Sequence, residues 1–501
     1  MSTAQAQPPS ARSVFKGAFQ GSALYSIPLI GQRIASIFLL SIVTRVLTRD
    51  DFGMLSLLEQ VGFVLSILLC GSFSSALGYF YFQKDEPGER AKVVGTAILG
   101  SYLLGCLAGL VGWSSMGFLA RDLFRSQDAL RYLPIVFVTM PVDFGMEAFL
   151  GWLRVEDRQA TFAKVALLRI ALTVVGIGLL VGVLKLHVLA YLSTTLTVNI
   201  ILTVVMSVYL WRNLRPAVSF DLFVRMFRFS VPLGLSMIAM FVVNFGDQFV
   251  LRHYRSLGEV GIYALAYKIG MVVAIAYGSF QTYWAAQVYA IMQRKDAEAI
   301  FARLFTYSVL LAATFTILVS VGCGPGLRVL VARDFQAAIP LIPVIAAANG
   351  IRAIGEFLRF RFLAAGRPGY RSLCDWAGMV VCLALYFLLI PRYGKWGGAI
   401  ATLGAFVFLA VISIVGTYRM NPYRVEGRRL LKLGIVISAI GILYCAVPVS
   451  SLGWQIVWSG LLISMLPAGL WLFRFLTPDE LNTLRSTWHR IAHWRDSVTV
   501  S

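Results

Sequence analysis

The chain has 501 residues, of which 58% are hydrophobic and only 14% are charged, and its mean hydropathy is +0.76. Ordinary globular proteins are about 25% charged, so this composition excludes a soluble protein and predicts an all-α polytopic membrane protein. The net charge of +20 would suit a nucleic-acid-binding protein. Basic loops beside anionic lipid headgroups explain it better, so we expect membrane lipids and no nucleic acid as partners.

Hydrophobic stretches long enough to cross a bilayer follow one another along nearly the whole chain. The loops between them are short and leave no room for a folded domain outside the membrane. We predict about 14 transmembrane helices. In chain order they lie at residues 20–44, 54–80, 93–117, 131–152, 161–184, 187–210, 231–251, 261–287, 302–324, 336–358, 374–391, 397–418, 431–450 and 454–474.

The distribution of lysine and arginine predicts the orientation. With the N-terminus inside, most of the 44 basic residues fall in the N-terminal segment, the even-numbered loops and the C-terminal tail. By the positive-inside rule, both termini are expected to be cytoplasmic. Residues 1–13 lack the apolar core of a signal peptide, so the first span is expected to direct insertion. A capping-box sequence at 477–480 predicts an amphipathic helix in the cytoplasmic tail, residues 476–501.

A weak internal repeat divides the chain. Residues 48–54 (TRDDFGM) resemble residues 256–262 (SLGEVGI), a period of about 208 residues. This repeat predicts two parallel six-helix halves, at 1–215 and 216–420, and two additional spans at 421–475. In transporters built this way the substrate site lies between the halves and is exposed alternately to each side of the membrane.

Four cations, Arg33, Arg169, Lys268 and Arg352, lie inside the predicted apolar segments. A charge at the bilayer centre costs about 2.5–3.5 kcal/mol on the mildest scale, so such residues pair with acids, face a water-filled cavity or bind an anion. Arg33, which follows Gln32, is near the middle of span one and too far from either surface to reach the headgroups. We expect it to face a functional cavity, with a structural ion pair as the alternative. Arg169 is closer to the cytoplasmic end and is expected to reach the headgroups.

Acidic residues accompany these cations. Glu356 follows Arg352 by one turn in span ten and can hold its guanidinium, and two prolines before them predict a broken helix. Asp143 and Glu147 occupy the repeat-equivalent positions in span four. Because two carboxylates one turn apart repel each other, this pair is a candidate proton-coupling site. A static salt bridge between the halves is the alternative.

Span eight combines one cation with many aromatic residues. Lys268 is placed to pair with Asp247 of span seven or to line the outer half of the cavity. Aromatic rings on this span could stack on sugars or belong to the membrane-interface belt; they are Tyr263, Tyr267, Tyr277, Tyr283 and Trp284. The six cysteines have no metal-ligand spacing, so no metal or cofactor is predicted.

Several segments carry a family resemblance: residues 47–53 (LTRDDFG), 229–233 (FSVPL), 247–251 (DQFVL) and 261–268 (GIYALAYK). Together they resemble the polysaccharide transporter (Wzx-type O-antigen flippase) branch of the multidrug/oligosaccharidyl-lipid/polysaccharide exporter superfamily. The resemblance covers residues 15–420.

The resemblance implies a transporter, not an enzyme, that flips a polyprenyl-diphosphate-linked oligosaccharide across the bacterial cytoplasmic (inner) membrane for surface polysaccharide assembly. A polysaccharide polymerase and its chain-length machinery are then expected partners. Cations suited to the diphosphate are Arg33 and Arg352, followed by Lys268. The neutral Gln32, next to Arg33, is a further polar residue of the expected site. Acids expected to line the cavity or couple transport to an ion are Asp143, Glu147, Glu356 and Asp247.

Three other functions remain open at the level of sequence. An ion-coupled small-molecule or multidrug exporter of the same fold would favour an acidic cavity, which the position of Arg33 opposes. A lipid II flippase would also have 14 spans and basic cavity residues, although the motifs fit the polysaccharide branch better. A glycan polymerase or ligase would need a sizeable outer loop, and the outer loops here are short.

Overall fold

The computed structural model describes residues 38–69, 73–420, 425–447 and 451–475, together with positions 28, 31, 32, 35, 36 and 480. Within these residues the secondary structure is helical, with no strand. Residues 38–46 are helical and belong to the predicted first span. Arg33 lies outside the described residues, and so does the predicted amphipathic helix of the tail apart from Glu480.

The helices follow one another with short connections. A single helical turn at Met116–Phe118, π-helical turns at Leu119–Leu123 and Gly178–Val183, and a 3₁₀ segment at Arg333–Leu341 interrupt or extend them. The longer α-helices are α1 (Arg49–Leu69), α2 (Phe73–Phe82), α3 (Pro87–Ser114), α4 (Ala129–Val155), α5 (Gln159–Ile177), α6 (His187–Leu214), α7 (Phe220–Tyr254), α8 (Leu257–Gly270), α9 (Val272–Met292), α10 (Ala297–Leu330), α11 (Ile342–Ala364), α12 (Pro368–Tyr393), α13 (Lys395–Met420), α14 (Gly427–Ala446) and α15 (Leu452–Leu472).

Twelve helical stretches in the described part of the chain are long and apolar enough to cross a membrane. They coincide with twelve of the predicted spans, and α7 occupies the position of the predicted seventh span. The prediction of an all-helical polytopic membrane protein is therefore confirmed. Exposed side chains support it: on α15, Trp454 is 70% exposed and Trp471 is 79% exposed. Apolar surface of this kind is stable in lipid and costly in water.

The chain forms two compact units. Unit 1 comprises Met1–Ala264, Leu330–Phe335 and Leu383–Gly398, and unit 2 comprises Leu265–Val329, Gln336–Cys382 and Ala399–Ser501. Helices α8, α12 and α13 each contribute residues to both units. The units are defined by contacts and not by sequence similarity, so the repeat boundary at residue 216 stays a prediction.

Close helix packing in unit 1 depends on small residues. Helix α3 lies against α4, and added methyl groups at Gly105 and Gly109 would collide with the α4 backbone at Pro141 and Phe137. Small residues four apart let two membrane helices approach closely, which strengthens dispersion contacts where lipid supplies no hydrophobic drive.

The repeat-equivalent motifs meet within unit 1. A methyl group at Gly53 would collide with the Leu257 carbonyl oxygen, and one at Gly261 would collide with the Arg49 carbonyl oxygen. The first turns of α1 and α8 therefore cross with their backbones in contact. Only glycine permits this approach, and this explains why each of the two motifs has a glycine at this position.

The core of unit 2 is aromatic. The Trp284 ring stacks on Phe357 with centroids 4.4 Å apart, and its indole Nε1 donates a hydrogen bond of 3.0 Å to the Phe357 carbonyl oxygen. This contact joins α9 to α11. The predicted break in span ten is also present, because the 3₁₀ segment contains Pro340 and gives way to α11 at Ile342.

Candidate functional site

Three helices of unit 1 bring a charged cluster together inside the predicted spans. Arg169 on α5 lies 3.3 Å from Asp143 Oδ1 and 3.2 Å from Glu147 Oε1, both on α4. Asn199 on α6 donates a further hydrogen bond to Asp143. The expectation that Arg169 reaches the headgroups is wrong, because its guanidinium bridges the two carboxylates. One cation thus faces two acids, and a proton on either acid would neutralise the cluster.

A second polar group of unit 1 lies in the middle part of α1. The Tyr191 hydroxyl donates to Glu59 Oε1 at 3.2 Å, which links α6 to α1. Ser56 donates to Gln248 Oε1 at 2.7 Å, and both of these side chains are buried. These bonds satisfy polar groups that would otherwise be costly within apolar spans.

Asp247 is fully buried in unit 1. Its Oδ2 accepts a hydrogen bond of 2.5 Å from the Tyr263 hydroxyl, and its Oδ1 lies 2.8 Å from the Gln248 backbone nitrogen. Lys268 is exposed and belongs to unit 2. The pairing of Lys268 with Asp247 stays a prediction.

Unit 2 contains a more completely buried charge cluster. Glu356 Oε1 lies 2.7 Å from Arg359 Nη2, and its Oε2 lies 3.4 Å from Arg371 Nη2. Asp375 of α12 is 3.6 Å from Arg359 Nε. Arg359 is 2% exposed and Glu356 is 5% exposed. These contacts hold the carboxylate of Glu356 between α11 and α12. The cluster is therefore better explained as a structural contact between two helices than as the lining of an open cavity.

Arg352, one turn before Glu356, has a different environment. Its guanidinium carbon lies 5.7 Å from the centroid of the Phe406 ring on α13, and the residue is half-buried. A cation above an aromatic face is stabilised by the ring quadrupole. Within the described chain, Arg352 is the half-buried member of the predicted diphosphate set, whereas Lys268 and Gln32 are exposed.

The remaining predicted site residues are placed as follows. Gln32 is exposed, and its carbonyl oxygen accepts a hydrogen bond of 2.7 Å from Ser36 Oγ. The role assigned to Arg33 stays a prediction because that residue is outside the described chain. Of the five aromatic residues considered for sugar stacking, four are buried in the core, and only Tyr283 is exposed. The sugar-stacking interpretation therefore fails for the other four.

Sequence reasoning missed Arg359 and Arg371. The predicted tenth span ended at residue 358, just before Arg359, whereas α11 continues to Ala364. The spacing of Glu356 and Arg359, three residues apart on a helix, was the available signal. Within the described residues, no group of three or more His, Cys, Asp or Glu side chains is placed to hold a metal ion.

Helical spans joined by ion pairs define a polytopic membrane protein. A family model for polysaccharide biosynthesis proteins matches residues 18–284, more than half of the chain. The chain therefore belongs to the polysaccharide biosynthesis protein family. No curated protein matches the sequence.

Solved structures show the same fold. An inward closed conformation of the lipid II flippase MurJ is 14% identical with a TM-score of 0.72, and the match covers 90% of this chain and 99% of that one. An inward-facing multidrug resistance MATE transporter of the MOP superfamily is 13% identical with a TM-score of 0.65, over 80% of this chain and 98% of that one. A MOP superfamily transporter from Pyrococcus furiosus is 14% identical with a TM-score of 0.52, over 80% and 94%. Together with the family match, these folds confirm the predicted superfamily.

Proposed function

We propose that the protein flips a polyprenyl-diphosphate-linked oligosaccharide across the bacterial cytoplasmic membrane for assembly of O-antigen, capsule or exopolysaccharide. The family match carries this proposal, because it connects a transporter fold to polysaccharide biosynthesis. Similarity to the fold of a lipid II flippase supports a lipid-linked cargo. The proposal includes cytoplasmic termini, alternating access, and cooperation with a polysaccharide polymerase and chain-length machinery.

The cargo's diphosphate explains the cations within the spans. A diphosphate entering a low-dielectric region needs charge-assisted partners, and arginine binds phosphate oxygens in a bidentate manner. Arg352 is half-buried, and its guanidinium lies over the Phe406 ring. Arg33 and Lys268 complete the proposed set, with Gln32 as a polar neighbour.

Variants at the two arginines test this assignment. Arg33→Ala and Arg352→Ala should each abolish surface glycan output, because either substitution removes a positive charge that the diphosphate needs inside the membrane. Membrane insertion and abundance should stay unchanged. Glycan staining and immunoblots of complemented deletion strains measure both, with Arg212→Ala, an exposed arginine of α6, as the matched control. Near-normal glycan from both variants at native expression would contradict the diphosphate role.

The unit 1 cluster is the proposed coupling site. Asp143 and Glu147 share the single cation Arg169, so binding and release of one proton would change the net charge of the cluster. Asp143→Asn should make export insensitive to an imposed pH gradient in proteoliposomes. The exposed Asp128 provides a control through Asp128→Asn. An unchanged response in Asp143→Asn would exclude this coupling role.

Two alternatives each have an observation in their favour. The fold similarity to MurJ favours lipid II as cargo, and the similarity to MATE transporters favours an ion-coupled small-molecule exporter. Lipid analysis of a depletion strain separates them. Accumulated lipid II would select the first alternative, and unchanged lipid-linked intermediates with increased drug sensitivity would select the second.

A further inference from the structure

Unit 2 contains a cavity of about 960 Å³ outside the clusters described above. Its wall is formed by the turn between α9 and α10, the first turns of α10, the end of α11, and Met420 and Glu426. The distribution of basic residues predicts that this end of the helices faces the cytoplasm. The volume is within the range of about 300–1,000 Å³ that small-molecule sites occupy.

The wall of this cavity is strongly charged. It includes five basic side chains and three acidic ones. Two of the acids already have cationic partners: Asp296 Oδ1 lies 2.9 Å from Arg294 Nε, and Glu426 lies 3.0 Å from Arg429, which is not part of the wall. These pairs leave Glu298 as the one remaining acid in the wall. The basic residues are Arg294, Lys295, Arg303, Arg361 and Arg367.

Three of the basic side chains in the wall are available to a ligand. Within the described chain, Lys295, Arg303 and Arg367 form no ion pair with an acid, and all three are exposed. Arg361 is only 3% exposed, and its guanidinium carbon lies 4.6 Å from the centroid of the Phe301 ring. The cavity thus combines one buried cation with three exposed ones. A concave surface with an excess of positive charge attracts anions.

We propose that this cavity binds a phosphate- or diphosphate-bearing group. Arg303 and Arg367 in one wall favour a phosphate group over a simple carboxylate, because a phosphate group offers more acceptor oxygens and more negative charge to two guanidinium groups at once. The site is distinct from the proposed cargo site, since Arg361 is about 13 Å beyond Arg352 along α11. The phosphate belongs either to a soluble ligand or to the headgroup of an acidic lipid.

Binding of defined probes to the purified full-length protein tests this site. In one arm, protein in phosphatidylcholine nanodiscs is titrated with inorganic diphosphate by calorimetry. In the other, native mass spectrometry measures retention of phosphatidylglycerol against phosphatidylcholine. The test variant combines Arg303→Gln and Arg367→Gln. The control is Arg428→Gln, an exposed arginine on the same predicted face that does not line the cavity.

We expect the double variant to weaken binding about tenfold, because two partly hydrated charge-assisted contacts are lost, while the control matches the wild type. Loss in the first arm identifies a soluble phosphate ligand, and loss in the second arm alone identifies a lipid headgroup. Equal binding by all three proteins in both arms, or no binding by the wild type, overturns the proposal. Both arms omit cargo and transport, so their failure leaves the proposed flippase function untouched.

Discussion

At the scale of single residues, Glu356 and Arg359 form the most completely buried ion pair among the described residues. Both side chains are almost inaccessible, at 6% and 2%, and their atoms lie 2.7 Å apart. Removing one partner of a buried pair leaves an uncompensated charge, which is far more costly than losing an exposed contact. Arg371 contacts the same carboxylate at 3.4 Å but is 28% exposed.

Arg359→Ala should therefore lower the free energy of unfolding by about 3–5 kcal/mol. Arg371→Ala, the matched control, should cost about 1 kcal/mol or less because water screens its contact. Thermal unfolding in detergent compares the two variants. Equal melting temperatures would show that Glu356 does not depend on Arg359.

The residue scale also shows where sequence reasoning reaches its limit. Arg169 was correctly placed inside a span, but its depth alone could not show that Asp143 and Glu147 face it from α4. The sequence identifies Glu356 as a candidate site residue, but the span predicted from hydropathy ends just before Arg359. A hydropathy window ends where charges begin, and only tertiary contacts show that such a charge is buried.

At the scale of helices, the sequence predicts the presence of each helix better than the residues at which it begins and ends. The seventh span was predicted to begin at 231, whereas α7 begins at Phe220. The signal was available, because Ser219 is a favoured N-cap residue and its side chain accepts a bond of 3.5 Å from the Leu222 nitrogen. The first turns of α7 contain charged residues, so a hydropathy count does not include them in the span. The proline-dependent break before α11 was predicted because proline removes a backbone donor.

The crossing of α1 and α8 gives a prediction at this scale. Gly53→Ala and Gly261→Ala should each destabilise the protein by about 1–3 kcal/mol, because the added methyl group meets a carbonyl oxygen of the other helix. Gly78→Ala is the control, since nothing lies within 4 Å of its added methyl group. Thermal unfolding measures all three. Unchanged stability at Gly53 and Gly261 would refute the close backbone contact.

At the scale of the whole molecule, composition alone predicted a helical membrane protein, and the family match and the fold confirm it. The cargo is a separate matter, because the same fold serves lipid II flippases and multidrug transporters.

The most direct test is the lipid content of a deletion strain that still makes the precursor. Lipids are extracted and analysed by mass spectrometry, and a membrane-impermeant glycan probe applied to intact and inverted vesicles reports the leaflet. The proposed function predicts that a polyprenyl-diphosphate oligosaccharide accumulates with its sugars on the cytoplasmic side, and that the wild-type gene reverses this. Normal precursor levels, or sugars on the outer side, would contradict it.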